Sequence, residues 1–183
     1  TMIGFVKTEF TQGQPLSHSL NVSDYDFFKA FVGWSSGSLG ESSGLLLLIG
    51  GLSLIRKKII TWHIPLSVIG TVILLATIMT LVDGERYPGP LFHLSSGALF
   101  LCAFFIATDY VTCPSYPRGQ LIYGAGIGVL IYVIRTWGAY PEGVGFAVLL
   151  MNGATPLIDH YIRPRIYGRD HKGKPLTMRG DKV

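Results

Sequence analysis

The chain has 183 residues, 49% apolar and 14% charged, with a net charge of +4 and a positive mean hydropathy. Soluble domains carry about 25% charged residues; here the missing charge is concentrated in long uncharged stretches, which excludes an ordinary soluble globule and indicates a membrane protein. Two cysteines without metal-ligand spacing, Cys102 and Cys113, are expected to be structural thiols and leave no basis for an iron–sulfur or zinc centre.

In chain order, the sequence begins at Thr1 rather than at a methionine with a signal peptide, and it reads as the C-terminal part of a longer product. Residues 1–32 form a segment ahead of the membrane region. Gly33 to Ser43 is rich in glycine and serine. Ser42 or Ser43 can cap a helix starting at membrane depth, with Glu41 near its positive end. Glycines let backbone approach a ligand, and free N–H groups at a helix start bind anions. Irregular backbone at membrane depth must be buried in protein or line a polar cavity, and broken helices often mark the working site of a membrane protein. The plainer reading is a loop that caps a helix; the residues leave both open.

A crossing needs about 20 apolar residues. The first span, Ser42 to Ile55, has 14 uncharged residues before Arg56, Lys57 and Lys58. It is a short helix, or it reaches full length by including Gly33 to Gly40. Thr61 to Val82 and Pro90 to Thr108 lack Asp, Glu, Lys and Arg and are the clearest spans. Gly119 to Arg135 is the fourth, its arginine placed to snorkel to the interface. Gly143 to Asp159 is the fifth, opened by Pro141 and Glu142. The transmembrane region thus covers residues 33–162, and a basic tail follows at 163–183. The fold class is an all-α polytopic transmembrane bundle of about five spans.

Five spans in order place Arg56, Lys57, Lys58, Arg118, Arg163, Arg165, Arg169, Lys172, Lys174, Arg179 and Lys182 on one side. The other side holds Lys7, Lys29, Arg86 and Arg135. Eleven of fifteen basic residues on one side is a strong orientation signal. It puts the C-terminus in the cytoplasm and Thr1 outside, in a cytoplasmic (inner) membrane. The tail reads as a solvated segment obeying this rule, with binding of anionic lipid headgroups or an acidic partner as the alternative; no nucleic-acid partner is expected.

Within the spans, Asp109 and Asp159 fall at cytoplasmic ends, and Arg163 stands one helical turn after Asp159 as an ion-pair partner. His63 and His93 read as hydrogen-bonded structural histidines. Gly124, Gly126 and Gly128 have no preceding strand and fit close helix packing rather than nucleotide binding. No catalytic nucleophile–base pair, metal cluster or P-loop is present in the pattern.

Several stretches share a source. Gly37-Ser38-Leu39-Gly40-Glu41-Ser42, Leu45 to Gly51, Trp62-His63-Ile64-Pro65, Leu91 to Gly97, Ala107-Thr108-Asp109, Tyr140 to Val144 and Thr155 to Asp159 with Arg163-Pro164-Arg165 together resemble one family. It is the D subunit of Rnf-type ferredoxin:NAD oxidoreductase complexes, with the B subunit of the sodium-translocating NADH:quinone reductase as a more distant relative. The resemblance spans Gly33 to about Gly168. Tyr110 departs from it, since proline would be expected after the aspartate.

The resemblance implies roughly the C-terminal half of a ten-helix, two-repeat subunit of a redox-driven Na+ or H+ pump. It implies other Rnf-type membrane and iron–sulfur subunits as partners, the latter holding the clusters and NAD site, so that this chain is not catalytic alone. It also implies FMN held covalently by a phosphoester to a threonine in a Ser/Thr-Gly-Ala-Thr sequence, installed outside the membrane by a flavin transferase. Asn152-Gly153-Ala154-Thr155 is similar to that motif but has asparagine first and lies at a cytoplasmic span end, so Thr155 is rejected. Thr1 lies outside, 36 positions before Gly37, and is the expected attachment residue; the alternative is that the sequence merely starts there. Gly37, Ser38, Gly40, Glu41 and Ser42 are expected to support this flavin or a second, non-covalent one. A secondary transporter half with its site at an interrupted first helix, and a structural anchor for redox partners, are the competing readings.

Overall fold

The structure is a computed structural model, and it describes residues 4, 8, 27–34, 42–84, 87–95, 98–140 and 142–162. Among these, regular structure is entirely helical: α1 (Phe27–Val32), α2 (Gly44–Arg56), α3 (His63–Val82), α4 (Pro90–Ser95), α5 (Leu99–Leu101), a π-helical turn (Cys102–Ile106), α6 (Pro117–Trp137) and α7 (Val144–Tyr161). Two of them, α3 and α6, are long and apolar enough to cross a bilayer.

α6 is the centre of the bundle. Its buried positions, Gln120, Tyr123, Gly124, Ile127, Gly128, Ile131, Tyr132 and Arg135, form one stripe at helical period. The opposite face exposes Leu121, Ile122, Val129 and Val133. That inverted surface, apolar outward, suits hydrocarbon. α3 presents Ile64, Val68, Val72 and Ala76, four residues apart, to the same core and leaves Leu66, Leu74, Ile78 and Leu81 outside.

The two helices meet at glycines. A Cβ on Gly124 would lie 2.9 Å from the Ser67 Cβ and 3.0 Å from the Ile64 carbonyl oxygen; one on Gly128 would lie 2.8 Å from the Thr71 Cβ and 2.9 Å from the Val68 oxygen. Small residues four apart on both helices therefore let the backbones touch, as the sequence spacing implied. Ser67 Oγ adds a 2.6 Å hydrogen bond to the Leu121 carbonyl. Gly126 instead faces Met151 of α7.

α2 is short, as its uncharged run required. Ser43 Oγ accepts a hydrogen bond from the Leu46 amide at 3.3 Å and caps its start. Gly33, at φ +107°, lies directly against Ser42 and Ser43. The glycine-rich stretch from residue 35 to residue 41, which was to lengthen this span, lies outside the described residues. At 13 residues the helix is about 20 Å long. Its other end closes with the Lys58 amide donating to Ile55 and the Ile59 amide to Leu54, Lys58 taking φ +55°.

The expected third span is not one helix. α4 stops at Ser95, α5 begins at Leu99, and the chain then widens into a π turn, with the Ala107 amide donating to the Cys102 carbonyl at 2.8 Å. π turns inside helices accompany functional sites and local insertions. Phe100 and Phe104 from this segment fill the notches at Gly44 and Gly51 of α2.

Candidate functional site

Of the residues expected from sequence to hold a cofactor, Thr1, Gly37, Ser38, Gly40 and Glu41 lie outside the described residues, and Ser42 is exposed beside the α2 cap. Thr155 is described. Its hydroxyl donates to the Met151 carbonyl one turn back at 3.1 Å, inside α7 and next to Pro156. Asn152, which breaks the flavin-like motif, accepts a hydrogen bond from the buried Tyr123 hydroxyl. Asn152 thus joins α7 to α6 while the Thr155 hydroxyl is used within α7, which fits a structural role for that motif.

Sequence reasoning missed the most unusual polar group in the bundle. Arg135, near the end of α6, does not snorkel: it is 4% exposed, and its Nη1 donates to the His93 carbonyl at 3.1 Å. The reason is geometric. Position 135 continues the inward stripe of α6, and α4 brings the His93 carbonyl within its reach. A guanidinium, permanently charged and rich in donors, suits a carbonyl acceptor in that place.

His93 is equally buried, at 4% exposure, and its ring lies 5.3 Å from that of Tyr132. Neither ring nitrogen has a hydrogen-bond partner among the described residues, contrary to the expectation of a hydrogen-bonded structural histidine. His63 Nδ1 is likewise without a partner among the described residues, while its ring stacks on Trp62 at 4.2 Å and is partly exposed. Phe92 and Trp137 pack edge-on around His93 and Tyr132, and the Cys102 side chain is fully buried near Arg135. The signal available in the sequence was the charged residue closing the fourth apolar run; its inward direction was not readable there.

The opposite end of α6 carries acidic groups. Asp109 follows the π turn and accepts from the Thr112 hydroxyl at 3.2 Å. Asp159 comes from α7, and Arg163, its expected partner, lies outside the described residues. Cys113 sits between them: burial pushes its thiol up, and the carboxylates of Asp109 and Asp159 push the same way. Gln120 ties this end together, donating to the Pro114 carbonyl at 3.1 Å and accepting from the Thr61 hydroxyl at 2.8 Å. Among the described residues no cluster of His, Cys, Asp and Glu could hold a metal ion.

An all-helical bundle with an apolar exterior, two helices long enough to cross a bilayer and its charged groups at the two ends of α6 defines a multi-pass membrane protein. The chain belongs to the NQR2, RnfD, RnfE family, whose model matches residues 1–168. It is 50% identical over 177 residues to the D subunit of the ion-translocating oxidoreductase complex of Stutzerimonas stutzeri, covering 97% of this chain and 50% of that protein. The corresponding protein of Halorhodospira halophila is 44% identical over 177 residues, and that of Shewanella frigidimarina 42% over 171, with 49% and 46% of those proteins covered. The chain therefore spans about half the length of the curated relatives it matches.

Proposed function

We propose that this chain is the electron-carrying membrane part of an ion-translocating ferredoxin:NAD oxidoreductase, coupling electron flow to Na+ or H+ movement. The observation that carries the reading is the family match over residues 1–168, joined by relatives named as a subunit of an ion-translocating oxidoreductase complex. The bundle crosses the membrane five times, with α2, the α4–α5–π segment and α7 joining α3 and α6 as spans. The charge split turns the 163–183 tail to the cytoplasm and Thr1, with the Arg135 end, outward.

Thr1 would hold FMN through its hydroxyl as a phosphoester, and the bound flavin would supply one- and two-electron transfer. On this reading Gly37, Ser38, Gly40, Glu41 and Ser42 line the approach to that flavin or to a second, non-covalent one. Thr155 does not fit the role, because its hydroxyl is engaged within α7. Iron–sulfur and NAD-binding partners and a flavin transferase complete the assembly. The interrupted third span favours one other reading, a secondary transporter half with its site at the break.

The test is in-gel flavin fluorescence of the acid-denatured full-length subunit co-expressed with its transferase. Thr1→Ala should abolish the signal and Thr155→Ala retain it. A colourless wild-type band would end the covalent-flavin proposal, and the reverse pattern would move the site. Solute exchange in liposomes without any electron donor would favour the transporter.

A further inference from the structure

We infer that the turn closing α2 is a binding site for an anionic phospholipid, with Arg56, Lys57 and Lys58 on its phosphate and Ile59 and Trp62 at the membrane surface. The site needs only the membrane-spanning character of the bundle; that it faces the cytoplasmic leaflet rests on the orientation proposed above.

The three cations are consecutive and exposed, and none of them is in an ion pair among the described residues. The carboxylates at that end of the bundle, Asp109 and Asp159, stand beside Cys113 instead. The turn that carries the cations is fixed. The Lys57 amide donates to the Ser53 carbonyl at 3.0 Å, the Lys58 amide to Ile55 at 2.9 Å and the Ile59 amide to Leu54 at 3.0 Å. Beyond it, the Thr61 hydroxyl donates to Gln120 of α6 at 2.8 Å. Lys58 takes φ +55°, a conformation in which glycine is cheaper. Strain of this kind persists where the side chain has a task. The orientation rule accounts for basic residues on this side, but it is indifferent to backbone conformation, and a lysine on an unstrained turn would serve it equally.

The surroundings suit a lipid rather than an acidic protein. α2 has 13 residues and is about 20 Å long, short of the roughly 30 Å of hydrocarbon. A short span thins the bilayer around it, and its flanking basic side chains reach up to the headgroups. Leu52, one turn before Arg56, and Leu66, one turn after Trp62, are both exposed, as are Ile59 and Trp62. Phosphate and acyl chains are therefore met together, with an indole of the kind that lies at headgroup level.

The test is native mass spectrometry of the detergent-purified full-length subunit, titrated with phosphatidylglycerol or phosphatidylcholine. Wild type should bind phosphatidylglycerol more tightly. Lys57→Gln with Lys58→Gln should weaken phosphatidylglycerol roughly fivefold per charge, the factor that about 1 kcal/mol per basic residue gives, and should leave phosphatidylcholine unchanged. Lys29→Gln, at the other end of the bundle, should change neither. Lys58→Gly keeps Arg56 and Lys57 to orient the span and relieves the strain, so it tests the site where the double variant fails to insert. Its unfolding midpoint should gain less from added phosphatidylglycerol than that of wild type. Equal affinity of wild type for the two lipids, or an unchanged response to phosphatidylglycerol in both variants, would overturn the site. A tail that labels from outside the cell would overturn the orientation alone.

Discussion

Replacing Gly128 by alanine should destabilise the bundle, although alanine is the better helix former. A Cβ there would sit 2.8 Å from the Thr71 Cβ and 2.9 Å from the Val68 carbonyl oxygen, so α3 and α6 must move apart along their main contact. Overpacking of this kind costs about 1–3 kcal/mol. Alanine returns roughly 0.5–1 kcal/mol of helix propensity, which leaves a net loss of about 1–2 kcal/mol. The full-length subunit is about twice this length, so each kcal/mol shifts its midpoint by less than the ~2–4 °C usual for 150–250 residues, and the midpoint should fall by a few degrees. Gly70→Ala is the control, since nothing lies within 4 Å of a Cβ at that position of the same helix pair. Its midpoint should hold or rise. Thermal unfolding of the full-length subunit in detergent, followed by tryptophan fluorescence, reads both. Equal shifts for the two variants would refute the claim that glycine sets the α3–α6 distance.

Other consequences can be measured separately. Lys58 holds a left-handed φ of +55° at the end of α2, so Lys58→Gly should stabilise by about 1 kcal/mol, read as a raised midpoint in the same assay. The Cys113 thiol is raised by burial and by two carboxylates, so less of it is thiolate at neutral pH. Its maleimide labelling should keep accelerating above the usual thiol range, and neutralising both neighbours (Asp109→Asn with Asp159→Asn) should shift that profile to lower pH. Tyr123→Phe should cost about 0.6 kcal/mol, the usual worth of a hydrogen bond between membrane helices, and in a double-mutant cycle that cost should vanish once Asn152 is replaced by leucine.

Much of the frame was readable because hydrophobic length and small-residue spacing are local properties. The Thr61 to Val82 run became α3 at His63–Val82, Ser43 caps α2, and the Gly124 and Gly128 pair faces Ser67 and Thr71. The break between α4 and α5 was hidden because hydropathy averages over a window and does not sense whether the backbone is continuous. Ser95-Ser96-Gly97 was the available warning, a cluster of turn-forming residues inside an apolar run. The direction of Arg135 was hidden for a different reason. Its position at the end of a span permits snorkelling, and only the α4 carbonyl beside it, 42 positions away in sequence, decides against it.

The central claim is tested most directly by peptide mapping of the wild-type full-length subunit purified from its native membrane. After trypsin digestion, mass spectrometry should find an FMN adduct on the peptide that carries Thr1 and ends at Lys7, and an unmodified peptide around Thr155. An adduct on the Thr155 peptide, or none on either, would contradict the account.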